Sequence, residues 1–232
     1  MSVAADFAQR GFAVVPGVAD AGQCAKYAAQ ISAHGTAGSR TLLSQAWCAE
    51  LADFLLRSRT LRPFLPVGHV AVQCTFFEKS GTVNWLVPVH QDLSIPVLER
   101  VEEPALRGWS RKEDGWYVQP PRGLLEQMVA VRLHLDPCGA DDGPVHVVPG
   151  SHLQGAIAPH QAVALRQFEL ACLADVGDVL VLRPLLLHRS SKATGISRRR
   201  VLHFLFGPAE LPHGLEWPKR GGWQNETDYH NT

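Results

Sequence analysis

From residue 66 onward the chain is a series of short apolar stretches, each closed by a turn-forming cluster, and that rhythm leaves few folds open. Residues 70–77, 86–95, 128–135, 145–148, 167–173, 179–183, 185–190 and 199–206 are rich in β-branched, aromatic or alternating apolar residues. Pro137-Cys138-Gly139, Asp141-Asp142-Gly143-Pro144, Pro149-Gly150-Ser151 and Gly177-Asp178 separate several of them. Many short strands with such punctuation predict a mainly β barrel or sandwich. Upstream the pattern differs. Residues 11–15 read as a strand ending at Pro16, Asp20 is a plausible N-cap for a helix to about residue 33, and residues 44–57 carry Trp47, Leu51, Phe54 and Leu55 at helical spacing. A mainly helical part, 1–65, is therefore expected against one face of a β core spanning 66–207.

Residues 96–123 break the rhythm with ten charged residues, among them Glu113 and Asp114, and with Trp109, Trp116 and Tyr117. A charged insertion of this length between strands reads as a lid or a mobile excursion. The tail, 208–232, is polar and bears Trp217 and Trp223. The length of 232 residues suits one domain, 1–232, with a sizeable core.

Lys plus Arg equals Asp plus Glu at 22 each, which gives no electrostatic reason to expect nucleic acid or an anionic membrane as partner. No apolar run is long enough to cross a bilayer, and the N-terminal residues do not form a secretory signal. The five cysteines are scattered without a Cys-x-x-Cys pair, so neither a zinc site nor a disulfide framework is indicated and a cytoplasmic location is expected. Monomer and homodimer both remain open.

Two short patterns could hold a metal through strand alternation, His90-Gln91-Asp92 and His134-Leu135-Asp136. With eleven His and eleven Asp in the chain, about half of one His-x-Asp match arises by chance. Neither carries weight alone. Downstream lie His188 and the cluster Arg198, Arg199, Arg200. Two histidines and one carboxylate leave positions on an octahedral iron(II) open, and an arginine nearby could anchor the far carboxylate of a dicarboxylic co-substrate.

Three ordered motifs decide between the two patterns. Gln73 to Pro96, with Phe77-Glu78-Lys79, Asn84-Trp85 and Val89-His90-Gln91-Asp92-Leu93, resembles the metal-binding strand of the phytanoyl-CoA dioxygenase family. Asp142-Gly143-Pro144-Val145 followed by Pro149-Gly150-Ser151-His152 is similar to that family's Asn-Gly-x-Leu and Pro-Gly-Ser-His, with Asp142 in place of Asn. His188, Ser190 and Arg199, eleven residues on from His188, match the distal half.

The resemblance implies a double-stranded β-helix, a cupin-like jelly roll, that uses iron(II), 2-oxoglutarate and dioxygen. It implies His90, Asp92 and His188 as iron ligands, Arg199 as the 2-oxoglutarate arginine and Ser190 as the hydroxyl assisting it. Gln73 and Lys79 fall where family members place co-substrate or pocket contacts. Arg132 lies on the strand of another such contact, although an aromatic residue is usual there. If Arg199 points inward, so do Val201, His203 and Leu205, while Arg200, Leu202, Phe204 and Phe206 face the helices. His134, Asp136 and His152 read as structural. The implied activity is hydroxylation of a small or medium-sized organic molecule, with succinate and carbon dioxide as co-products. Two other readings stand beside it: a cupin-like metalloprotein without 2-oxoglutarate, and a catalytically silent barrel that binds a ligand.

Overall fold

The computed structural model describes residues 2–34, 37–112, 115–196 and 198–219. Trp223, Glu113 and Asp114 lie outside them.

The chain opens with α1 (Val3–Arg10), capped by the Ser2 hydroxyl on the Ala5 amide and closed by Gly11 in the left-handed region at φ 79°. Only Phe7 of this helix is buried, and its eight residues are too few for a helical period to stand out from the sequence. After β1 (Phe12–Val15) comes α2 (Ala21–His34), which starts where Asp20 predicts. The Asp20 carboxylate accepts from the Gln23 amide at 2.8 Å while the Gln23 side chain accepts from the Asp20 amide at 2.9 Å. This reciprocal pair satisfies two amides that the helix itself leaves open. A 3₁₀ turn, Leu42–Ser44, leads into α3 (Ala46–Arg57), which buries Cys48, Leu51, Ala52 and Leu55.

The β region follows: β2 (His69–Lys79), β3 (Val87–His90), β4 (Ile95–Val97), β5 (Arg107–Lys112), β6 (Gly115–Gln119), a short α4 (Arg122–Leu125), β7 (Val129–His134) and β8 (Val145–Val147). Then come α5 (Pro159–Leu165), β9 (Leu170–Cys172), β10 (Val179–Leu182), β11 (His188–Ser190) and β12 (Arg199–Pro208). A five-stranded sheet has the order β1-β10-β7-β12-β2, a four-stranded sheet β3-β11-β8-β9, and a three-stranded sheet β4-β6-β5. All pairings within them are antiparallel. The first two sheets face each other as a jelly roll.

One face of the large sheet packs on the helices, with Leu202, Phe204 and Phe206 of β12 among Phe7, Ile31, Leu51 and Leu55. The opposite face meets the smaller sheet through Ala130, Leu180 and Leu182 against Val145, Val147 and Cys172. The alternation read from β12 therefore holds, because pleating sends successive side chains to opposite faces.

Three expectations change. Residues 86–95 form two strands in different sheets, since the chain leaves the ladder after His90 and the Asp92 amide bonds to the Pro184 carbonyl instead. Only His188–Ser190 of the stretch 185–190 is strand; Leu185, Leu186 and Leu187 are buried in a turn closed by the Leu186 amide on the Arg183 carbonyl. Residues 166–168 form a 3₁₀ turn with Phe168 exposed, and β9 starts only at Leu170.

The insertion at 96–123 is a built element. Its β4-β6-β5 sheet packs Ile95, Val97 and Val118 with Leu106, Leu124 and Met128, beside Val72 and Leu205 of the large sheet. Apolar residues interleaved with the charges supply this small core, and net charge along the segment conceals it. The tail joins the same cluster through Leu215 and Trp217, whose indole N–H donates to the Pro208 carbonyl at 2.8 Å. All five cysteines are buried and unpaired. Among the described residues no helix is long and apolar enough to cross a membrane.

Candidate metal centre

His90 and His188 are 98 positions apart in sequence, yet they are direct partners across the antiparallel pair β3–β11, which brings their rings to a centroid distance of 4.3 Å. Asp92 sits just beyond the end of β3, not on the strand as alternation alone suggests, and its turn away from the ladder carries the carboxylate between the two rings. Its oxygens lie 3.6 Å from His90 Nε2 and 3.6 Å from His188 Nε2. These separations exceed hydrogen-bond length. One ligand atom from each of the three residues lies within 4.8 Å of the others.

Both rings are oriented from behind. His90 Nδ1 bonds to the Pro88 carbonyl at 2.8 Å and His188 Nδ1 to the Leu186 carbonyl at 2.9 Å. A carbonyl can only accept, so each Nδ1 carries the proton and each Nε2 presents a lone pair toward Asp92. Burial lowers the His188 pKa to about 4 against the pull of Asp92, which keeps the ring neutral. For His90 burial is outweighed by contact with Asp92, and its pKa rises. Burial also opposes the charge of Asp92, but the imidazoles of His188 and His90 outweigh it and hold the carboxyl well below its ordinary range. Two imidazoles and one carboxylate with converging atoms fit a divalent first-row metal, iron(II) included, which would displace the proton that Asp92 favours on His90.

Gln91, between the two, points elsewhere. Its amide donates to the Gly155 and Leu185 carbonyls at 2.7 and 2.6 Å and accepts from the Ile157 amide at 2.8 Å. It ties β3 to the loops on either side and so positions both neighbours. The side-chain pattern gives no sign of this, because the three partners come from distant segments.

The triad opens into a cavity of about 290 Å³ whose wall includes Gln73, Lys79, Arg132, Ser190 and Arg199, together with Thr75, Phe77, Trp85, Tyr117 and His203. Every residue singled out from the sequence as a site candidate thus borders one space. Lys79 and Arg199 are direct partners across β2 and β12. Lys79 Nζ donates to the Ser190 hydroxyl at 3.0 Å and to the Ser191 carbonyl, and burial, with Arg199 next, lowers its pKa to about 8. Arg199 is 2% exposed and donates through Nη1 to the Gly143 carbonyl at 2.7 Å. Gly143 has φ 65°, and a Cβ there would come within 2.5 Å of the Ser191 carbonyl oxygen. Glycine is therefore needed at this step for the chain to present the Gly143 carbonyl to Arg199.

Arg199 Nε is buried without a hydrogen-bond partner among the described residues, and the guanidinium meets the Cys138 sulfur and the Gly143 carbonyl but forms no ion pair with a carboxylate among those residues. A buried guanidinium with spare donor capacity fits the distal carboxylate of 2-oxoglutarate. Arg198 pairs instead with Glu78 at the surface, and Arg200 forks onto Asp136 at 2.7 Å through two nitrogens.

The other sequence landmarks take structural places. His134 is buried in β7, with its pKa lowered to about 3 by burial and then by Arg132 and Arg199. His152 does more than hold its own turn: its Nε2 bonds to the Ala8 carbonyl at 3.1 Å, fastening α1 to the Pro-Gly-Ser-His segment. Ser151 bonds to the Val148 carbonyl and the Leu187 amide, which anchors that segment beside His188. Sequence reading placed His203 on the inward face without a role, and gave Thr75 and Trp85 none. Strand alternation from Gln73 would have found Thr75.

A jelly roll with a two-histidine, one-carboxylate cluster at its mouth defines the class of the non-haem iron oxygenases. The chain matches the family model "Phytanoyl-CoA dioxygenase (PhyH)" over residues 7–201, and it belongs to that family of Fe/2-oxoglutarate-dependent oxygenases. No curated protein matches its sequence significantly. Among solved structures it is similar to HygX from Streptomyces hygroscopicus with nickel and 2-oxoglutarate bound, at 18% identity and a TM-score of 0.62, over 87% of this chain and 84% of that one. The α-ketoglutarate-dependent epimerase SnoN from nogalamycin biosynthesis matches at 17% identity and a TM-score of 0.60, over 95% and 84%. The carbocyclase SnoK from the same biosynthesis matches at 15% and 0.62, over 97% and 89%. At such identities the likeness establishes the fold.

Proposed function

We propose that the protein is an iron(II)- and 2-oxoglutarate-dependent dioxygenase that hydroxylates a small or medium-sized organic molecule, releasing succinate and carbon dioxide. The observation that carries this reading is the convergence of His90 Nε2, His188 Nε2 and the Asp92 carboxylate on one cavity that also holds Arg199. His90, Asp92 and His188 would hold the metal on one side and leave its other positions open to the cavity. The metal with 2-oxoglutarate supplies the oxidising chemistry when dioxygen binds.

The chain's own residues bind, orient and shield. The Pro88 and Leu186 carbonyls hold the Nδ1 protons, so in each neutral ring it is Nε2 that is available to a metal. Arg199, with Lys79 and Ser190 beside it, receives the distal carboxylate of the co-substrate. Gln73, which accepts from the Tyr117 hydroxyl at 2.9 Å, and Arg132 border the remaining space. Phe77, Trp85 and Tyr117 keep part of the wall apolar and limit water near the reacting atoms. A HygX structure with hygromycin B bound also supports a small-molecule substrate. The presence of Asp92 leaves no vacated ligand position for a halide, which favours hydroxylation over halogenation.

Anaerobic addition of iron(II) and then 2-oxoglutarate tests the reading. A weak visible charge-transfer band, with slow succinate formation once air is admitted, is the expected result. Metal binding without the band points to a cupin-like metalloprotein that does not use 2-oxoglutarate. Absence of metal binding points to a silent binding barrel.

A further inference from the structure

The cavity holds more positive charge than the proposed chemistry uses. Lys79, Arg132 and Arg199 are all buried in its wall, at 1%, 7% and 2% exposure; Arg40 and Lys112 line it as well, and among the described residues Asp92 is its one acidic lining residue. Among the described residues none of the three cations forms an ion pair. A divalent metal and a dianionic co-substrate cancel each other, so the three buried cations and Asp92 leave a loaded site with a surplus of two buried positive charges, to which Arg40 and Lys112 add. Buried charge without a counter-ion is costly. A ligand that supplies the counter-charge removes that cost.

The cations fall into two groups. Lys79 and Arg199 adjoin across β2 and β12 with Ser190 beside them. Arg132 belongs to a different rung, where its direct partner on β12 is His203, four residues beyond Arg199, or about 13 Å along the strand. Arg132 Nη1 donates to His203 Nδ1 at 2.9 Å, and its guanidinium lies 5.1 Å from the centre of the Phe77 ring. An imidazole nitrogen that accepts from an arginine carries no proton, so the ring proton of His203 is on Nε2. Burial, and then Arg132, lower the His203 pKa to about 3, in keeping with a neutral ring. Arg132 Nε is buried without a hydrogen-bond partner among the described residues. Arg132 and His203 both line the cavity, and no carboxylate of the described residues claims the guanidinium.

We propose that the substrate is an organic anion and that Arg132, with His203, receives its carboxylate or phosphate group within the cavity. This rests on the co-substrate reading above, which assigns Arg199 and Lys79 to 2-oxoglutarate. The aromatic wall of Phe77, Trp85 and Tyr117 suits an anion with an apolar or ring-bearing body.

Calorimetric titration with benzoate, phenyl phosphate and neutral benzamide tests it, on protein loaded with nickel(II) and 2-oxoglutarate and on protein with neither. The expected result is that at least one anion binds the loaded protein while benzamide does not, and the stronger anion identifies the group. Arg132→Gln should weaken that binding by about tenfold or more and leave 2-oxoglutarate affinity nearly unchanged. Arg132→Lys should restore part of it. Arg132→Met should melt at a higher temperature than the wild type, because it removes a buried cation facing Arg199. If Arg132→Gln does not fold, the Lys and Met variants carry the comparison.

The proposal is overturned if neither anion binds, if benzamide binds as well as benzoate, or if the Arg132 variants bind anions like the wild type. It is also overturned if they lose 2-oxoglutarate, which would make Arg132 a co-substrate residue. Should 2-oxoglutarate fail to bind the wild type, the co-substrate reading falls. The titrations on unloaded protein then still decide whether Arg132 is the anion site.

Discussion

His90-Gln91-Asp92 and His134-Leu135-Asp136 have the same spelling and opposite fates. In the first, β3 ends at His90, Asp92 swings out of the ladder, and both side chains reach a cavity where His188 waits across the strand pair. In the second, His134 is the last residue of β7, 1% exposed, and Asp136 is consumed by a two-pronged pair with Arg200. His134 also lies near Arg132 and Arg199, which oppose its protonation. The difference lies in the neighbours. A His-x-Asp pattern becomes a metal candidate when a third donor faces it and no arginine claims its carboxylate.

The largest effects should come from the first pattern. Substituting His90, Asp92 or His188 with alanine should reduce succinate formation to background and abolish the charge-transfer band. His134→Leu and Asp136→Asn should keep both; loss of the band in His134→Leu would collapse the distinction. Next comes the arginine step. Arg199→Ala should weaken 2-oxoglutarate binding by roughly 1.5–3 kcal/mol, because a carboxylate loses its charged donor. Arg200→Ala should leave that affinity intact, as followed by titration of the band. A reversal of the two would mean that the inward and outward phases of β12 are exchanged.

Acid sensitivity gives a third test. His134, His188 and His203 have pKa values lowered to about 3, 4 and 3 from 6.5, burial being the first cause each time. Between pH 6.5 and about 4 the unfolded chain therefore binds more protons than the folded one, so stability falls as pH falls through that window. Three such groups give a limiting slope of about 4 kcal/mol per pH unit in the metal-free protein. Urea midpoints measured across the window check this, and His134→Leu should reduce the slope by roughly a third without touching metal affinity. The smallest effect concerns the Asp136–Arg200 pair, half-buried at 17% and 18%. Asp136→Asn should cost about 1 kcal/mol in chemical denaturation, with activity unchanged.

Much of the fold was legible because its signals are local. Asp20 and Gln23 form the cap that the residue types suggest, and Leu202, Phe204 and Phe206 face the helices as period-two alternation requires. The helix α1 is not legible there because its eight residues make about two turns, too short for a period to stand out. The sheet within 96–123 escaped because Val118 and Leu106 are buried among charged neighbours whose side chains point outward. The site was legible only as candidates, and the motif resemblance brought them together.

By itself the sequence determined the alternation that sends Arg199 and His203 to one face of β12, the Asp-Gly step that only glycine satisfies at φ 65°, and the donor types available to a metal. Which donors meet depends on long-range pairing between strands. Pairing of β3 with β11 sets His188 opposite His90, departure of Asp92 from the ladder places its carboxylate between them, and pairing of β7 with β12 sets Arg132 beside His203. Register across non-adjacent strands is fixed by the packing of whole sheets, so a short-range reading of residues cannot contain it.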